Sequence, residues 1–324
     1  MSPDDGAAPK PPVIVIAGPT ASGKTAVSIR LAEKIGGEII SADSMQVYKR
    51  MDIGTAKPTR KERRGVRHYM LDEVAPDEEF SAAEFTKRAA LYARDILARG
   101  KALILAGGSG FYINAFLTEA RFARTENDYA YRAELSETVS KRGAVFLHER
   151  LKDVDPVSYD KIHFNDVKRV IRALEFYKLT GERISEHNRR EKLRPAAYDA
   201  AFFTLSPDRQ VLYERVERRA DLMMAAGLLD ETRGLLEMGY DRSLTAMQGL
   251  GYKEAVSALK GESSVEDAVS ALKRNTRRFA KRQMTWFKNQ NDGVWVDIGE
   301  GCDAERIAEN ILEMYNERLN GKDF

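Results

Sequence analysis

Near the N-terminus, Gly18-Pro19-Thr20-Ala21-Ser22-Gly23-Lys24-Thr25 has the G-x-x-x-x-G-K-[ST] spacing of a phosphate-binding loop. The glycines let the backbone curl until successive N–H groups point inward at phosphate oxygens, and the helix that follows adds the partial positive charge of its N-terminus. Lys24 then reaches the terminal phosphates and the Thr25 hydroxyl ligates Mg²⁺. Alone, the motif suggests ATP, yet it does not specify which phosphate compound binds. Nucleotide hydrolases add an apolar strand ending in the Asp that holds Mg²⁺. The most apolar strand candidate here, Ala102 to Ala106, runs into Gly107-Gly108 instead. Asp72, after Tyr69-Met70-Leu71, is a weak substitute, and nothing resembles a guanine-reading motif. A compound that leaves as diphosphate therefore becomes a candidate ligand.

The second chemical group is Asp43, in Ser41-Ala42-Asp43-Ser44. It closes a predicted strand, and in an open α/β sheet ligands bind outside the carboxyl ends of strands, beside the phosphate loop. Two functional roles are open: a Mg²⁺ ligand through water, or a general base toward an incoming nucleophile. A plain Asp turn beside Ser44 is the structural alternative.

These groups need a scaffold, and its elements are legible. Val13 to Ala17 is a β-branched run ending at the loop, and Lys24 to Ile35 has helical spacing (Val27, Leu31, Ile35) stopped by Gly36-Gly37. Glu38 to Ala42 predicts a second strand and Tyr69 to Val74 a third. Ser81 to Arg99 predicts an amphipathic helix with Ser81 and Glu84 as a capping box, followed by the Ala102 to Ala106 strand. Strands alternating with helices imply a parallel sheet covered on both faces. After about Leu117 the pattern becomes polar and helical, and strands return only at Ala201 to Leu205 and Val294 to Ile298. The expected architecture is an α/β fold. Its P-loop NTPase-like parallel sheet core spans 13–117 and 200–324, and a helical insertion spans 118–199.

The chain has 324 residues, 43% hydrophobic and 31% charged, the balance of an ordinary globular protein. No apolar run is long enough to span a bilayer, and residues 1–12, rich in Pro, Ala and Asp, read as a disordered tail rather than a signal peptide. Cytoplasm is the expected compartment. Cys302 is the single cysteine, which excludes an intramolecular disulfide and a thiolate metal site; His68, His148, His163 and His187 are scattered. The net charge of +2 conceals a basic stretch, Lys273, Arg274, Arg277, Arg278, Lys281, Arg282 and Lys288, with no acid between its ends. On a helix, Lys273, Arg277 and Lys281 form one stripe and Arg274, Arg278 and Arg282 the next, a broad basic face suited to nucleic-acid phosphates. Of Trp286 and Phe287 after it, at least one is expected in the core.

Several ordered segments carry a family resemblance: Gly18 to Thr25, Ser41 to Ser44, Met51 to Pro58 (MDIGTAKP), Gly107 to Tyr112 (GGSGFY), Gly251-Tyr252-Lys253, Ala280 to Gln283, and Thr285-Trp286. Together they resemble the tRNA dimethylallyltransferase family, from Val13 to the C-terminal helix. The resemblance implies transfer of a dimethylallyl group from dimethylallyl diphosphate to N6 of adenosine 37, 3′ of the anticodon. It implies Gly18, Pro19, Thr20, Ala21, Ser22, Gly23, Lys24 and Thr25 as the diphosphate cradle, Mg²⁺ as cofactor on Thr25, Asp43 as general base, and Lys24 and Arg219 facing the reaction centre. Contacts to the tRNA anticodon stem-loop map by resemblance to Asp43, Ser44, Met45, Gln46, Ser109, Arg132, Lys168, Arg169, Val170, Ile171, Arg172, Gln248, Gly249, Leu250, Gly251, Tyr252 and Lys253. Arg274, Arg278 and Arg282 join them from the basic helix. Ser109 stands where the family more often has Thr, and Tyr129 where a Pro commonly precedes the arginine matching Arg132. A monomer, with no membrane partner, is expected. The competing readings are a small-molecule kinase, which leaves the basic helix and Gly54 to Pro58 without a role, a transferase acting on free adenine nucleotides, which needs no insertion, and a non-catalytic tRNA-binding module.

Overall fold

The computed structural model describes residues 9–122, 128–290, 293–299 and 303–321. Cys302 and residues 1–8, the greater part of the expected tail, lie outside them, and Pro12 already belongs to a strand.

The chain divides into two compact units, Met1–Glu119 with Ala196–Phe324, and Ala120–Pro195. In the first, a six-stranded sheet has the order β3 (His68–Tyr69), β2 (Glu38–Ala42), β4 (Leu103–Gly107), β1 (Pro12–Ala17), β5 (Asp199–Pro207), β6 (Val294–Ile298). Every neighbouring pair is parallel. Successive strand side chains point to opposite faces, so β1 splits its apolar run. Val13, Val15 and Ala17 join α2 (Ala82–Ala98), α3 (Gly110–Leu117) and Phe287 on one face. Ile14 and Ile16 join α1 (Lys24–Ile35) and α13 (Ala304–Leu319) on the other. Burial on both faces is why the strands read as continuous apolar runs.

The predicted third strand is cut to His68–Tyr69. Met70 and Asp72 take left-handed φ angles of 64° and 57°, which ends extended pairing, and Val74 makes only a bridge to Tyr48. Helix α2 begins as expected, with Ser81 accepting from the Glu84 amide at 3.3 Å; the Glu84 carboxylate accepts from Arg88 Nε at 2.6 Å rather than closing the box.

A third apolar cluster joins the segment around Val47, Tyr48 and Met51 to α9 (Arg209–Ala225), α10 (Leu228–Glu237), α11 (Tyr252–Leu259) and α12 (Val265–Gln290). The second unit is α4 (Tyr129–Arg142), α5 (Ala144–Val154), α6 (Pro156–Lys161), α7 (Val167–Thr180) and α8 (Ile184–Lys192), packed around Leu135, Leu147, Leu151, Val170 and Leu174. No helix among the described residues is long and apolar enough to cross a membrane.

Candidate active site

Sheet register assembles the site. Ala17 of β1 pairs with Gly107 of β4, and Gly107 pairs with Ala42 of β2. The next residues along each strand, Gly18, Gly108 and Asp43, therefore emerge together at one carboxyl edge. Ser109 N–H donates to the Ala42 carbonyl at 3.1 Å and Ser44 N–H to Ser109 Oγ at 3.2 Å, tying the Gly-Gly turn to the Asp43 segment.

From β1 the chain curls through Ala21, at φ 63°, and Gly23, at φ 87°, into α1. The positive φ at Gly23 is the left-handed conformation that glycine adopts without steric cost. Lys24 Nζ donates to the Pro19 carbonyl at 3.0 Å, so the lysine folds back over its own loop. Gln283 of α12 latches that loop: its Oε1 accepts from Thr20 N–H at 2.9 Å, and its Nε2 donates to Gly108 O at 2.9 Å. Arg219 of α9 approaches from the other side, with Nη1 3.5 Å from Thr20 Oγ1.

These groups surround a cavity of about 710 Å³ lined by Thr20, Ala21, Gly23, Lys24, Thr25, Asp43, Gln46, Arg219 and Gln283, with Gly18, Pro19 and Ser22 beneath the lining. Burial lowers Lys24 to about 8 and also lowers Arg219, while the nearby Asp43 carboxylate opposes both shifts. Burial disfavours the charge on both cations, and Asp43, with Glu62 for Arg219, offsets it only in part, a cost that a bound anion would reduce. Leu222 and Met223 of α9 and its C-capping Ala226 continue from Arg219, and Phe279 precedes Gln283 by one turn on α12; all four line the cavity. It is cationic at one wall and apolar at the next.

Asp72 does not line the cavity, and its Oδ1 accepts from the buried Lys57 Nζ at 2.6 Å. It therefore does not substitute for the missing Mg²⁺-binding Asp. Asp43 Oδ1 accepts from Met45 N–H at 2.9 Å, which leaves the rest of its carboxylate toward the cavity it lines.

The remaining expected contacts are distributed unevenly. Gly249 packs on Met45, which brings the 248–253 segment beside Asp43 to Gln46, with Gln248 and Lys253 exposed and Leu250 half-buried. Gly251 and Tyr252 are buried, and Tyr252 belongs to the core around Val47. In the helical unit Lys168, Arg169 and Arg172 are exposed and Ile171 is half-buried, whereas Val170 is in the core. The Tyr252 and Val170 side chains thus face protein rather than solvent. Arg132 is held by the buried Glu175 carboxylate at 2.7 Å.

On α12 two of the basic residues are already paired, while Lys281 is exposed and makes no ion pair among the described residues. Lys273 pairs with Asp221 at 2.7 Å and Arg277 with Glu217, both acids on α9. Arg274, Arg278 and Arg282 are exposed and make no ion pair among the described residues. Phe287 is buried, and Trp286 meets it edge-on at 5.3 Å. Two features were not anticipated from the sequence: the Gln283 latch, inside a quoted segment but without an assigned role, and buried Lys57, a residue type ordinarily read as surface.

A model of the family described as IPP transferase matches residues 46–290, more than half of the chain. The chain belongs to the IPP transferase family. It is 52% identical over 301 residues to a tRNA dimethylallyltransferase of Lachnoclostridium phytofermentans, covering 93% of this chain and 96% of that protein. It is 49% identical over 299 residues to one of Acetivibrio thermocellus, covering 92% and 96%. Among solved structures it resembles the tRNA isopentenylpyrophosphate transferase of Bacillus halodurans, with 39% identity, a TM-score of 0.71, and coverage of 97% and 100%. It also resembles a eukaryotic dimethylallyltransferase acting on tRNA, with 29% identity, a TM-score of 0.79, and coverage of 97% and 81%. The matched stretch begins just after the phosphate loop and Asp43.

Proposed function

We propose that the protein transfers the dimethylallyl group of dimethylallyl diphosphate to N6 of adenosine 37 in tRNA, giving N6-dimethylallyl-adenosine and diphosphate. The observation that carries this reading is a cavity in which a phosphate loop and Arg219 stand beside an apolar wall, with the Asp43 carboxylate at the rim and no Mg²⁺-binding Asp after Ala106. ATP hydrolysis uses that missing Asp, whereas a prenyl diphosphate does without it and sets its phosphates on the cationic wall and its hydrocarbon on the apolar one.

Asp43 removes a proton from the N6 amine as nitrogen bonds to the allylic carbon. The carbon–oxygen bond to diphosphate breaks and its electron pair leaves with the diphosphate. An exocyclic amine conjugated to a purine is a poor nucleophile, so a positioned carboxylate speeds the step. Lys24, Arg219 and the loop amides carry the charge that builds on the leaving group. Among the described residues no group of three His, Cys, Asp or Glu side chains converges on a metal. That sparse donor set suits Mg²⁺, which keeps several waters and is held by few protein oxygens plus substrate phosphates; Thr25 Oγ would be its protein ligand. When bound there, Mg²⁺ would supply charge neutralisation on the diphosphate.

To react, the adenine must leave the stacked anticodon loop. Arg274, Arg278 and Arg282 and the exposed bases of the helical unit are the proposed phosphate contacts, in a monomer acting in the cytoplasm. Labelled dimethylallyl diphosphate incubated with unmodified tRNA carrying adenosines at 36 to 38 tests the reading. Label enters tRNA without ATP and does not enter AMP. ATP-dependent phosphorylation of a small molecule, or equal labelling of AMP, contradicts it.

A further inference from the structure

Behind the cavity wall sits a carboxylate that the reaction itself does not use. Glu231 lies in the first turn of α10 and does not line the cavity. Its two oxygens accept from three successive backbone amides: Asp52 at 3.0 Å, Ile53 at 2.9 Å and Gly54 at 3.2 Å. The Tyr252 hydroxyl donates to the same group at 2.6 Å. Burial, reinforced by Glu231, pushes the Tyr252 hydroxyl well above its ordinary value, so it stays protonated and remains a donor. Four donors fill the acceptor sites of one carboxylate.

The stapled segment is the cavity wall: Asp52, Ile53, Thr55, Ala56 and Lys57 line it. Gly54 lies flat against the Tyr252 ring, where an added Cβ would come within 2.4 Å of Cε2. Immediately after it, the Thr55 and Ala56 carbonyls accept from Gln46 Nε2 at 3.2 and 3.3 Å. Gln46 Oε1 in turn accepts from Ser41 Oγ at 3.1 Å. Asp43 lies between Ser41 and Gln46 in the chain, so the hydrogen-bond path from Glu231 closes on both sides of the carboxylate. Lys57 secures the other end of the segment, donating to Tyr48 O at 2.8 Å, Asp52 Oδ1 at 2.7 Å and Asp72 Oδ1 at 2.6 Å. Ala56 is held at φ 49°, a left-handed strain that persists only where the surroundings over-determine the backbone.

We propose that Glu231 is a positioning residue for the transfer: by stapling residues 52–54 it fixes, through Thr55, Ala56 and Gln46, the orientation of Asp43 toward the acceptor base. This rests on the function proposed above. It assigns Glu231 no contact with either substrate, and the diphosphate cradle, anchored separately by Gln283, does not depend on it.

The test compares full-length Glu231→Gln and Tyr252→Phe with wild type, and with Asp230→Asn as a control, an exposed neighbour paired with Arg233 at the surface. In Glu231→Gln, kcat for tRNA falls by roughly ten- to a hundredfold, the scale of a small misplacement of reacting groups, while KM for dimethylallyl diphosphate is unchanged. Tyr252→Phe, which removes one donor and keeps the fold, shows a smaller loss of the same kind, and Asp230→Asn shows none. Amide hydrogen exchange gives a readout independent of transfer: residues 52–56 exchange faster in Glu231→Gln, and residues 18–25 do not. A folded Glu231→Gln with wild-type kcat, or with unchanged exchange at 52–56, overturns the inference. So does a loss that raises both KM values together with exchange across the whole sheet, the mark of a merely structural glutamate. Wild-type protein that transfers nothing to tRNA would sink the proposed function instead, and exchange would still judge the staple.

Discussion

Lys24 and Arg219 are two desolvated cations lining the cavity, and Asp43 is the carboxylate acting on both. Their division of labour makes distinct predictions. Asp43→Asn keeps size and the bond from the Met45 amide but removes the base, so turnover drops roughly a hundredfold or more while tRNA affinity is retained; filter binding and single-turnover kinetics on one preparation separate the two. Lys24 gives a pH effect of defined sign. Its value is lowered to about 8 in the folded protein, so above that pH the folded state loses a proton that the unfolded chain still holds. Stability of the ligand-free protein therefore rises with pH from there to the ordinary lysine value. Diphosphate favours the charged lysine, so the Lys24 contribution to dimethylallyl diphosphate affinity is full below pH about 8 and declines above it. Calorimetric titration across that pH shows the decline in wild type and not in Lys24→Met, which binds weakly throughout.

At the scale of elements, α12 serves as latch, core piece and basic face at once. Only part of its charge is free. Arg274→Ala, Arg278→Ala and Arg282→Ala each lower tRNA affinity and reduce the salt slope of binding by about one. Lys273→Ala and Arg277→Ala change that slope less, since Asp221 and Glu217 already neutralise them. Fluorescence titration over a salt series measures all five, and equal slopes for the free and the paired residues would refute the division. That division was not legible in the sequence, where the stretch has no acid; the neutralising acids come from α9, brought alongside by packing. What was legible depended on local pattern: β1, α1, β2 and β6 follow apolar periodicity and glycine stops, and the phosphate loop follows fixed spacing. The third strand failed because left-handed backbone at Met70 and Asp72 leaves no trace in an apolar run. Glu231 escaped because its amide partners lie far along the chain, and Lys57 because lysine is ordinarily a surface residue, although its partners Tyr48, Asp52 and Asp72 are close in sequence. The carboxyl-edge position of Asp43 could be anticipated, since it needed only strand order and the rule that sites lie there.

For the whole molecule, the parallel sheet brings three loops to one edge, and the segment from Arg209 to Gln290 supplies what a bare phosphate-binding core lacks: Arg219, the apolar wall and the Gln283 latch. The central claim is that the loop from Gly18 to Thr25 holds a leaving group rather than a hydrolysable nucleotide. Its most direct test is the phosphorus balance of a single turnover, with protein in excess over tRNA and dimethylallyl diphosphate, quantifying released diphosphate, orthophosphate and modified nucleoside together. The account predicts one intact diphosphate per N6-dimethylallyl-adenosine, no orthophosphate, and the same yield without ATP. Orthophosphate release, or modification that depends on nucleotide hydrolysis, would contradict it.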